Sequence, residues 1–88
     1  MDKIKALKWE SGLAMRQANY KMGTTLAEEG LDLSRRQDDK VNMAAFLNIL
    51  GLIASGEGIV QTARKYMEES VAVQRRLGNR WGFGNQPR

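Results

Sequence analysis

The sequence predicts an all-α fold of two antiparallel helix-turn-helix repeats, four helices in all, on three observations. Apolar and small residues recur at spacings of three and four through most of the chain, the stripe of helices that bury one face. One proline stands against nine glycines, which favours long helices broken at glycine-containing turns. A shift of forty residues lays the chain over itself without a gap, residues 26–41 on 66–81. Glu28 then falls on Glu68, Glu29 on Glu69, Arg35 on Arg75 and Arg36 on Arg76. Upstream, residues 6–14 fall on 46–54, pairing Leu7 with Leu47, Ala14 with Ala54 and small Ser11 with Gly51.

The first helix is predicted across about residues 3–16, with a turn near 17–19 and a second helix over about 20–36. Asp38 and Asp39 stand where the next helix needs an N-cap, because a short carboxylate can accept from the free amides of a first turn. In residues 42–55 the stripe is Met43, Phe46, Leu47, Leu50, Gly51 and Ala54. Gly56-Glu57-Gly58 reads as a tight turn. The fourth helix follows from Ile59 with Ala63, Tyr66, Met67, Ser70, Val73 and Leu77 on one face, and Gly78-Asn79 supplies a left-handed stop. Ala14, Gly23, Gly30, Gly51, Ala54, Ala63 and Ser70 lie on apolar faces, where small side chains let helix axes approach. Glycine inside a helix costs roughly 0.5–1 kcal/mol, so Gly30 and Gly51 call for a packing reason. A single domain is expected over residues 1–82, with one unit over about 3–39 and the second over about 42–79. Residues 83–88 read as a C-terminal tail, disordered or the start of a truncated third repeat.

Composition removes whole classes of chemistry. A chain of 88 residues has room for one small domain. Without cysteine there is no disulfide framework or thiolate, and without histidine the commonest general base and metal ligand are gone. The acidic pairs Glu28-Glu29, Asp38-Asp39 and Glu68-Glu69 point about 100° apart on a helix and read as solvated faces and caps. No phosphate-cradling glycine motif is present. The expectation is a non-enzymatic protein with no catalytic residue, metal or cofactor. A net charge of +4 favours acidic partners, but the basic residues are spread and the aromatics scattered, which argues against nucleic acid. The longest uncharged run, residues 41–56, is shorter than the roughly 20 residues of a membrane span. The N-terminus has no secretory h-region, so a cytoplasmic location is expected.

In the second unit, Leu47, Leu50, Gly51, Ala54, Ala63, Met67 and Ser70 follow an order of large and small residues that resembles the tetratricopeptide repeat. "ARKYMEESVAVQRRLGNRWG" is similar to the forty-residue variety found in tandem in bacterial regulatory and signalling proteins. The likeness covers about residues 6–82. Its unit is forty residues rather than the usual thirty-four, and no proline closes either unit. Glu10, at a place the family fills with a large apolar residue, and Gly12 beside it mark the first helix as a frayed cap.

The resemblance implies a short superhelix whose concave side is lined by the first helix of each unit. Its groove would be formed by Lys5, Lys8, Gly12, Met15 and Arg16, then Ala45, Asn48, Leu52, Ser55 and Gly56. A basic half beside a polar and apolar half suits an acidic peptide or protein with an apolar anchor. The family's clamp on a terminal carboxylate is only partly present: Lys8 and Asn48 fit it loosely, but Gly12 and Ile49 stand where asparagines are expected. That ligand is therefore not expected. Two units leave a marginal core, so Trp81, Phe83 and the outer side of the last helix are expected to self-associate or to pack on a further repeat of a longer array. The leading expectation is a protein–protein interaction module; the alternative is a self-assembling structural unit, with a small basic nucleic-acid binder behind both.

Overall fold

The computed structural model describes residues 2–80, with side chains through Leu77, so Trp81 and Phe83 lie outside the described residues. It consists of α1 (Lys3–Arg16), α2 (Tyr20–Arg36), α3 (Lys40–Gly56) and α4 (Val60–Arg80), with no strand among the described residues. Two of the N-termini and three of the C-termini have a local cause. Asp2 caps α1 by accepting from the Ile4 amide, and Asp39 caps α3 by accepting from the Asn42 amide at 3.2 Å. At the C-termini the same device appears three times. The amides of Asn19, Asp39 and Ile59 donate to the carbonyls of Ala14, Ser34 and Ala54, five residues back. Those of Ala18, Asp38 and Gly58 donate to Met15, Arg35 and Ser55. These are the two bonds of a Schellman cap. Their left-handed residues are Ala18, Asp38 and Gly58, with φ of 61°, 52° and 81°. They stand twenty residues apart, so the backbone repeats at half the period of the sequence.

Several boundaries differ from the expected ones. The third helix starts at Lys40, two residues before the expected stripe, and Asp39, one of the two expected caps, is its N-cap. Gly56 is the last residue of α3, and the turn is residues 57–59, leaving Ile59 exposed rather than on the α4 stripe. α4 runs through Gly78 and Asn79 to Arg80, since glycine tolerates the left-handed conformation without imposing it. α1 is not a frayed cap. It is capped, unbroken and buries Ile4, Leu7, Ser11 and Ala14, while Glu10 projects from another side and costs the helix nothing in packing.

α2 packs on α1 and on α3, and α3 packs on α4. The first and third helices also touch, whereas α4 meets neither α1 nor α2 at backbone distance. A closed four-helix bundle would bring α1 against α4, so this is an open stack of two hairpins. Its thinnest dimension, 19 Å, is two helix diameters. α1 and α3 form one layer, α2 and α4 the other. The core is built from Ile4, Leu7, Ala27, Leu31, Ala44, Phe46, Leu47, Leu50 and Val73. The glycines mark where large side chains cross it. Phe46 rests on Gly30, Ile53 on Gly23, Met67 on Gly51 and the Tyr20 ring on Gly56. Buried serines are satisfied: Ser34 Oγ donates to the Gly30 carbonyl at 2.8 Å, and Ser70 Oγ crosses to the Ala44 carbonyl at 3.2 Å. Among the described residues no helix is long and apolar enough to cross a membrane.

Candidate functional site

The solvent side of the α1–α3 layer carries most of the expected site residues. Ile4, Leu7, Ser11 and Ala14 turn one side of α1 inward. Helical spacing then sends Lys5, Trp9 and Arg16 to the opposite side, and all three are exposed. On α3 the burial of Ala44, Leu47, Gly51 and Ala54 likewise leaves Val41, Asn48, Leu52 and Ser55 exposed. Because successive helices are antiparallel, α1 and α3 run in the same direction. Lys5 and Lys8 therefore lie toward the Val41 end, and Met15 and Arg16 toward the Leu52 and Ser55 end.

A polar network locks the two helices in register. Lys8 Nζ donates to Asn42 Oδ1 at 2.9 Å, and Asn42 Nδ2 donates to Asp39 Oδ2 at 2.7 Å. The carboxylate that caps α3 thus also holds the asparagine that anchors the α1 lysine. Lys8 is committed to this contact and is not a free groove cation. It reaches α3 six residues before Asn48, about 9 Å along the axis, so the two do not converge on one carboxylate.

Of the other expected groove residues, Lys5, Arg16, Asn48, Leu52 and Ser55 stand in solvent, and Met15 is half-buried. A methyl group on Gly12 would meet nothing within 4 Å, so the layer is open there. Gly56 departs from expectation: the Tyr20 hydroxyl lies 2.6 Å from where its Cβ would be, which closes that end. Trp9 was not among the expected groove residues. It is 65% exposed, with the Arg16 guanidinium 6.0 Å from its ring centre. The signal for it was present, since Trp9 falls between the members of the buried stripe rather than on it.

Ion pairs form elsewhere on the surface. Lys3 pairs with Glu29 at 3.2 Å, Arg35 with Glu69 at 3.5 Å and Arg36 with Asp32 at 2.9 Å, all at the surface. The Tyr66 hydroxyl has a raised pKa, first because it is partly buried and then because Glu28 and Glu69 face it, with Arg35 opposing. Among the described residues no three acidic side chains gather as a metal site would need. Comparison with known protein families, curated proteins and solved structures finds no match to this chain.

Proposed function

We propose that the protein is a non-enzymatic interaction module that holds a peptide or protein partner, acidic with an apolar anchor, on the α1–α3 face in the cytoplasm. The observation that carries this reading is the exposure of Trp9, Val41 and Leu52 on two helices that touch, with exposed Lys5 and Arg16 on the same side of α1 as Trp9. Exposed aromatic and aliphatic side chains flanked by cations are the usual anchors of an acidic amphipathic ligand. The likeness of the sequence to tetratricopeptide repeats and the open stack of hairpins support the same reading. The absence of histidine and cysteine from the sequence weighs against catalysis.

Selection of random peptides against the full chain tests it. Peptides enriched in Asp and Glu around a large apolar residue are expected, weakened about tenfold or more by Trp9→Ala, Leu52→Asp or Lys5→Glu. Binders indifferent to all three changes would overturn the assignment of the face. Competition by random single-stranded DNA with a steep salt dependence would favour the nucleic-acid reading instead.

A second reading, self-assembly, is favoured by apolar side chains at both ends of the stack, Leu13 and Met22 on one and Val71 on the other.

A further inference from the structure

The forty-residue repeat makes the α2–α3 junction inside the molecule a template for both of its ends. Ala27 and Leu31 on α2, which packs on α3, are 0% and 5% exposed in the core; their equivalents on α4, Met67 and Val71, line an open depression, and Val71 is 44% exposed. From the other side, Ile53 is 1% exposed, while its equivalent Leu13 is 39% exposed at the α1–α2 end, in a cavity with Glu10, Met22 and Leu26. Each end thus displays the half of the junction that the other end lacks.

Charge follows the same rule. The ion pair that crosses the internal junction, Arg35 with Glu69, has both members repeated, as Arg75 at the α4 end and Glu29 at the α1–α2 end. Arg75 forms no ion pair among the described residues, and Glu29 is held only by exposed Lys3. At the internal junction Thr24 and Leu50 line one cavity; their equivalents are Arg64 and Glu10, opposite charges on opposite ends. Glu68 also stands at the Arg64 end, in the depression it shares with Val71 and Arg75.

Resting on the self-assembly reading, we infer that copies of this chain stack head to tail, the α3–α4 end of one on the α1–α2 end of the next, in the register that continues the repeat. Leu13 of the second copy then covers Ala63 of the first as Ile53 covers Gly23, and Arg75 pairs with Glu29 of the next copy. One contact is not reproduced. Where Phe46 fills the space over Gly30, the ends offer Ala6 and Ser70, so the intermolecular junction is less filled and weaker than the internal one. A heterologous contact of this kind does not stop at a dimer.

Light scattering from micromolar to millimolar concentration tests the stack, with helix content followed by circular dichroism. The wild-type mass is expected to rise continuously beyond twice the 9.9 kDa of one chain. Leu13→Asp and Val71→Asp each leave one intact end, so each alone is expected to be monomeric, and their equimolar mixture to form a dimer and no larger species. Arg75→Glu, an exposed change that does not threaten the fold, is expected to weaken association, and Glu29→Arg in the same chain to restore it. Association that persists in both Asp variants would overturn the head-to-tail contact while leaving self-assembly standing. A wild-type chain that stays monomeric at millimolar concentration would overturn both. In a Trp9→Phe background, a concentration-independent change of tryptophan emission on Val71→Asp would place the chain's own Trp81 on this face, and would also overturn the stack.

Discussion

The tip of the Phe46 ring on α3 sits on the Cα of Gly30 on α2, in the space where any other residue at position 30 would carry a side chain. Phe46 is fully buried there, and the contact sets how closely the two hairpins approach. Adding a methyl group at Gly30 forces the ring or the helix to move. Overpacking of this kind costs about 1–3 kcal/mol, against which better helix propensity returns about 1 kcal/mol. Gly30→Ala is therefore expected to lower stability. At Gly12 the same substitution meets open space, and only the propensity gain remains, about 0.5–1 kcal/mol. Urea denaturation should show the two changes with opposite signs; equal effects would mean that the Phe46 contact does not fix the spacing.

The three C-caps predict a second pair of substitutions. Gly58 adopts its left-handed φ without strain, but Ala18 and Asp38 hold the same conformation with a Cβ. Ala18→Gly relieves that strain while loosening the unfolded chain, for a net gain of about 0.5–1 kcal/mol, or several degrees in Tm for a domain of this size. Asp38→Gly gains less, because Asp38 also accepts from Lys40 Nζ at 2.7 Å. Ala18→Val at the same position is expected to destabilise, since a branched Cβ suits the left-handed region least. Thermal melts that rank the Val variant above the Gly variant would sink this account.

The helices and their order were legible in the sequence because burial here follows a strict spacing of three and four. Glycines at contacts, such as Gly23, Gly30 and Gly51, were legible for the same reason: nothing but close packing compensates a glycine inside a helix. The twenty-residue backbone period was not, because Ala18 and Asp38 do not advertise a left-handed turn as Gly58 does. Gly78 misled in the opposite direction, carrying the permission for a stop without the stop. On the candidate face, Leu52 and Arg16 could be placed from register alone. The engagement of Lys8 could not, since its partner Asn42 is thirty-four residues away and belongs to another helix. Gly56 looked open because only the fold brings the Tyr20 ring across it.

The Lys8–Asn42–Asp39 network predicts coupling between α1 and the start of α3. Asn42→Ala removes the acceptor of Lys8 and a donor to Asp39, and is expected to cost about 1 kcal/mol. Lys8→Met loses one hydrogen bond but retains its apolar stem, and is expected to cost less. In a double-mutant cycle the two should be non-additive by about 0.5 kcal/mol or more. Strict additivity would mean that the two side chains do not interact in solution.

The raised pKa of Tyr66 makes stability depend on pH in the alkaline range. Burial, and then Glu28 from α2 and Glu69 from its own helix, raise the hydroxyl pKa above its ordinary 10.0, with Arg35 working the other way. The folded state therefore holds the phenolic proton more tightly than the unfolded chain. Its contribution to stability is complete below the ordinary pKa and is lost as pH rises through the folded one. Lysines titrate in the same range, so the comparison must be with Tyr66→Phe, which retains the ring and removes only the titration. The two proteins should differ by a constant amount from neutral pH up to the onset of tyrosine ionisation. Above it, the wild type should lose stability relative to the variant. Denaturation midpoints measured across that range would sink this assignment if the two curves stayed parallel.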